Sequence, residues 1–101
     1  MEYVIVNYSL NQTYNVHKQV FIQIIEKAAS NLKNELRIVN DIQANIFKLG
    51  SDVEFIIEIE VSKTAEVSQV ILDFSKNIEE RVVDVMNSKP SNIQIKVIRR
   101  F

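Results

Sequence analysis

A chain of 101 residues with 47% hydrophobic and 25% charged residues is sized for a single domain with one modest core, and this composition excludes a disordered or fibrous protein. A net charge of -1 argues against a protein built mainly to neutralise nucleic-acid phosphates, and the absence of cysteine removes disulfides, thiolate nucleophiles and thiolate metal sites. No apolar run approaches the roughly 20 residues that a membrane-spanning helix needs; the start, Met1-Glu2-Tyr3, lacks the basic stretch of a secretory leader. One cytoplasmic domain over residues 1–101 is therefore expected.

Tyr3 to Leu10 alternates imperfectly, with Val4, Val6 and Tyr8 on one face and Tyr3, Ile5 and Asn7 on the other, and reads as a first strand buried on one or both sides. Asn15 then stands as an N-cap for a helix from Val16 to about Leu32, whose buried stripe is Val20, Phe21, Ile24, Ile25, Ala28 and Leu32. Residues 33–40 read as a connector, and the pattern at Leu36 to Val39 leaves a short strand there open.

Asp41 to Val61 reads as a hairpin. A two-residue loop at Gly50-Ser51 would pair Ile42 with Ile59, Ala44 with Ile57 and Ile46 with Phe55, three apolar pairs on one face. Gln43, Asn45, Phe47, Glu54, Ile56 and Glu58 take the other face.

The strongest helical signal follows. Val67, Val70, Ile71, Phe74, Ile78, Val82 and Val85 recur at three- and four-residue spacing and form one stripe. Thr64 is placed as its N-cap with Glu66 in the first turn, and Asn87 as its left-handed terminus before Pro90. Ile93, Ile95 and Val97 alternate in a last strand, leaving Arg99-Arg100-Phe101 as a tail. The order β-α-β-β-α-β predicts an α+β fold: a small, mostly antiparallel sheet with both helices on one face.

Little in the chain suggests catalysis. His17 is the single histidine and has no cysteine or second histidine to complete a metal site or a nucleophile dyad. Glu54, Glu58 and Glu60 share a strand face and could pair as acid and base or hold a hard cation, but a solvated face beside Lys96 accounts for them as well. One glycine cannot build a phosphate-binding loop, so no catalytic residue, metal or cofactor is expected. Leu72, Val83 and Met86 flank the second helix's stripe, with Arg81 at its edge. They read either as flank packing or, with Phe47, Ile56 and Ile98, as an apolar surface for a dimer or a protein partner. The candidate partner surface is thus Phe47, Ile56, Arg81 and Ile98.

Residues 53 to 98 resemble the C-terminal half of the alkaline shock protein 23 family, the group that includes the general-stress protein 24-like proteins. The counterparts of its strand, helix and closing strand are Val53-Glu54-Phe55-Ile56-Ile57-Glu58-Ile59-Glu60-Val61, then Ile78, Val82 and Val85, then Ile93-Gln94-Ile95-Lys96-Val97. Val20, Ile24, Ala28 and Leu32 are similar to the family's first helix and extend the resemblance over residues 16 to 98. The family's usual glycines are replaced by Lys33-Asn34-Glu35 and Asn87. The resemblance implies a bacterial, non-enzymatic, cytoplasmic protein linked to alkaline or envelope stress. It would act by self-association or by binding a protein, in some members a membrane-anchored one. The alternative from a different class is a small RNA-binding or ribosome-associated α+β domain.

Overall fold

The computed structural model describes residues 8–47 and 52–101, residues 8–17 as backbone alone. The elements run α1 (Tyr8–Ser30), β1 (Leu36–Ile38), β2 (Gln43–Phe47), β3 (Asp52–Val61), α2 (Val67–Met86) and β4 (Asn92–Arg100). This is the expected α+β class, with two helices and a four-stranded sheet. The order differs at the start: Tyr8–Leu10, read as the end of a first strand, belong to α1, while residues 3–7 lie outside the described residues. Asn15 accordingly lies within the helix and does not cap it. No Gly or Pro interrupts positions 8–30, and extending a helix costs far less than starting one.

β3 is the strand on which the sheet is built. β1 and β2 pair with it antiparallel and β4 pairs with it parallel. Because β4 runs along one edge of β3 from Glu54 to Val61, β1 and β2 must share the other edge, so four strands occupy three lanes. Leu36 pairs with Val61 and Ile38 with Ile59, but Gln43 pairs with Ile56. The interval between β1 and β2 therefore carries two residues more than an uninterrupted strand would, and an even insertion leaves the inward face unchanged.

The hairpin register differs from the expected one by the same even number. Ala44 lies opposite Phe55 and Ile46 opposite Val53, and Phe47 opposite Asp52 leaves residues 48–51 for the connection. A two-residue turn at Gly50-Ser51 would have required Leu49 opposite Asp52. The shift of two changes every partner and no face: Ala44, Ile46, Phe55, Ile57 and Ile59 are all buried, as the alternation requires.

Both helices contribute to one core with these residues. Phe21, Ile25, Ala28 and Ala29 come from α1, and Val70, Phe74, Ile78 and Val82 from α2. The Phe21 and Phe55 rings meet edge-on, 5.7 Å between centroids. The buried row of α2 steps by four and continues to Met86, which packs against the core, so Val85, expected in the stripe, is exposed instead.

The start of α2 also differs from the expected one. Thr64 is engaged with Ser62, hydroxyl to hydroxyl at 3.0 Å, and the cap is Glu66, whose carboxylate accepts from the Gln69 N–H at 3.0 Å. At the other end Asn87 adopts φ 64°, ψ 22° and donates its N–H to the Val83 carbonyl, as read from the sequence.

Phe74→Ala should destabilise the fold by about 3–5 kcal/mol in urea titrations, the usual cost of emptying a buried aromatic site. The exposed Leu72→Ala should change it by less than about 0.5 kcal/mol.

Candidate functional site

Alternation along β3 sends Phe55, Ile57 and Ile59 toward the helices and Glu54, Ile56, Glu58 and Glu60 to the uncovered face. On that face each carboxylate meets a different partner. Asn45 donates its side-chain amide to Glu54 at 3.2 Å, and Asn40 donates to Glu58 at 2.6 Å, with Lys96 in register on β4. Gln43 and Gln94 flank Ile56 in the row between. The three glutamates are thus distributed along the strand, and among the described residues no group of His, Cys, Asp and Glu is placed to hold a metal ion.

Glu60 departs from the solvated face expected of it: only 5% of it is exposed. Arg37 on β1 donates its Nε to one carboxylate oxygen at 2.8 Å, and Arg99 on β4 donates its Nε to the other. Both guanidiniums hold the Glu60 carboxyl below the ordinary glutamate range, the Arg37 hydrogen bond first and the Arg99 bond second, against a desolvation that pushes it up. The Phe101 ring covers Arg37, 4.1 Å from its guanidinium carbon.

A one-residue bulge makes this row possible. Ile59 pairs with Val97 and Glu60 with Arg99, so Ile98 is the extra residue in β4. Uninterrupted pairing would bring Ile98 to Glu60 and send Arg99 toward the core side. Beyond the bulge, Arg100 donates to the carbonyls of Ser62 (2.9 Å), Lys63 (3.2 Å) and Ala65 (3.0 Å), fastening β4 to the turn before α2. The Phe101 N–H donates to the Val61 carbonyl at 2.9 Å, and the Phe101 carbonyl accepts from the Lys63 N–H at 2.6 Å. Residues 99–101, read as a tail, are therefore integral to the sheet. The sequence held two signals for this: an acid at Glu60 between Ile59 and Val61, and the adjacent apolar pair Val97-Ile98, which breaks the alternation.

The residues proposed as a partner surface do not form a single patch. Phe47 and Ile56 lie on the uncovered sheet face, Phe47 at the end of β2. Ile98 occupies the bulge at the opposite end of the sheet. Arg81 lies in the helix layer, its Nε donating to Asn77 Oδ1 at 2.7 Å within α2. His17 falls in the part of α1 described as backbone alone. Among the described residues, the exposed large apolar side chains are Phe47, Leu72 (59% exposed), Val85, Val97 (36%) and Ile98. A groove of about 550 Å³ runs between the flank of α2, at Leu72, Ser75 and Glu79, and the beginning of β4, at Ser91 to Ile93.

No helix among the described residues is long and apolar enough to cross a membrane. The chain matches no family model, no curated protein and no solved structure.

Glu60 should make stability depend on pH with a definite sign. Its folded pKa lies below its unfolded one, so its contribution is complete above the ordinary glutamate range and is lost as pH falls through the lowered value. In thermal melts between pH 2 and 7, wild type should exceed Glu60→Gln most at neutral pH. The gap should shrink steadily below about pH 4; a gap constant with pH would mean that the charge contributes nothing.

Proposed function

We propose that this chain is a non-enzymatic interaction domain, related to the alkaline shock protein 23 family, that acts by binding a protein partner or a second copy of itself. The observation that carries this reading is the β4 side of the domain. There Val97 is in register with the fully buried Ile59, yet it is more than a third exposed, and Leu72 stands exposed on the neighbouring helix flank. A core-facing row, Ile93, Ile95 and Val97, left partly uncovered along one edge suits a surface that a partner completes.

The family reading is supported by the residues that carry the resemblance. Those from residue 53 on form the contiguous unit β3, α2 and β4; of the first-helix set, Ala28 is buried, Ile24 and Leu32 pack against the core partly exposed, and Leu32 lies just past the end of α1. On that reading the protein works in a bacterial cytoplasm in the response to alkaline or envelope stress, and reaches the membrane through an anchored partner. The RNA-binding alternative draws less support. The middle lane of the uncovered face carries Glu54, Glu58 and Glu60, and of the aromatics described there Phe47 is at the end of its strand and Phe101 is already stacked on Arg37.

Sedimentation velocity over a wide concentration range, with chemical cross-linking and co-purification from the native cell, tests the proposal. Self-association or a defined protein partner is expected, weakened by Leu72→Glu. A monomer at every concentration with no partner recovered would overturn it, as would salt-sensitive retention on single-stranded RNA without any protein complex.

A further inference from the structure

β4 is an edge strand. It pairs with β3 along one side, and among the described residues its other side pairs with nothing over nine residues, Asn92–Arg100. An edge of this kind is a row of backbone donors and acceptors ready for another extended chain. The surroundings also define what that chain must look like. On the helix side, a strand laid beside β4 would direct every second side chain against the half-buried Ile93 and Ile95 and the exposed Val97, with the exposed Leu72 on the helix flank above, while the groove at the beginning of β4 is lined largely by polar residues, Ser75, Lys76, Glu79, Ser91 and Asn92. The positions against Ile93, Ile95 and Val97 call for apolar side chains.

On the uncovered side the intervening residues would lie beside Gln94, Lys96 and Arg99. Residues 87–101 contain Lys89, Lys96, Arg99 and Arg100, four of the chain's 12 basic residues, and none of its 13 acidic ones. Glu58 stands across from Lys96 and Glu60 engages Arg99, both from β3 on the inner side of the edge, while Glu79, 4.0 Å from Lys89, stands on the groove wall at the beginning of β4, before Lys96 and Arg99. The outer positions therefore call for acidic side chains.

We infer that the β4 edge binds an extended protein segment in which apolar and acidic residues alternate, seated as a further strand with its apolar residues against Ile93, Ile95 and Val97 on the side of α2. This deepens the protein-binding reading above and rests on it. β3 is itself a segment of this kind, Val53-Glu54-Phe55 and Ile57-Glu58-Ile59-Glu60-Val61, and it fills the opposite side of the same strand. A second copy pairing β4 with β4 fits poorly: Lys96 and Arg99 of each copy would approach their counterparts, and the bulge at Ile98 interrupts the ladder. The chain's own residues 1–7 offer apolar alternation but one acid, Glu2.

The probe is a capped seven-residue peptide of alternating Glu and Val, titrated into the full chain at low salt while amide hydrogen exchange and chemical shifts are followed residue by residue. Saturable binding should slow exchange of the β4 amides that face away from β3 and shift the resonances of Leu72, Ser75 and Val97. Affinity should fall with added salt and drop by about tenfold in Lys96→Glu, with Lys96→Gln between, as expected for one rim charge pair beside a main-chain ladder. The same peptide N-methylated at every residue should not bind, since it has lost its main-chain donors.

Equal binding by a Lys-Val peptide, or undiminished binding by the N-methylated one, would overturn the inference. So would protection, in the chain alone, of the β4 amides that face away from β3: independent of concentration, that protection would assign the edge to residues 1–7, and dependent on concentration, to a second copy. Protein complexes that persist with those amides unprotected would overturn the strand-addition inference while leaving the interaction reading standing.

Discussion

The structure depends on the pleat of β3. Its odd-numbered residues from Val53 to Val61 are fully buried beneath two helices, and every other strand takes its place by pairing with it. Because side chains alternate with period two, β3 can be fully apolar toward the helices and acidic toward the other side without conflict. The neighbouring strands inherit that division: Ala44 and Ile46 turn inward, Asn45 and Gln43 outward. The interruption between β1 and β2 and the shifted hairpin register are both tolerated because each amounts to two residues.

The bulge in β4 is the one odd step, and it occurs where an odd step is required. A carboxylate as buried as Glu60 is costly without partners, and removing one partner from such a group costs more than the pair contributes over an apolar alternative. The two arginines that satisfy it lie in different lanes, Arg37 from one edge and Arg99 from the other. Slipping β4 into uninterrupted register would put Ile98 against the carboxylate and leave it half-compensated. The acid thus acts as a register device as much as an adhesive one, and Arg100 and Phe101 secure the same end of the strand by bonds to backbone.

This explains which parts of the fold were legible in the sequence. Patterns with a period were readable: the faces of β2, β3 and β4, the four-residue row of α2, and Asn87 as its terminus. Those consequences are local or parity-based and survive an error of two in register. Features decided by competition between neighbours were not readable. Thr64 would cap α2 if Ser62 did not occupy it, and Glu66 takes over. Helix α1 runs back to Tyr8 because nothing stops it, though Tyr3 to Leu10 carries a strand-like pattern. Phe47, Ile56 and Ile98 stand out along the sequence as apolar residues off the core stripes, and Arg81 as the edge of one. The elements place these residues on two layers and at opposite ends of the sheet. The ion triad links positions 37, 60 and 99, and no window of sequence contains all three.

The parallel pairing of β3 with β4 has a kinetic consequence. Partners in that ladder lie 38 or 39 residues apart along the chain, and the whole of α2 must be traversed before the first of their hydrogen bonds can form. The hairpin partners are separated by far less and can meet early, while the β3–β4 union bears the larger loop-closure entropy. A folding chain therefore passes through a stage in which β3, lined by the most apolar residues of the protein, has one edge bare and its acid without a second cation. At that stage the domain is most open to pairing with the wrong strand.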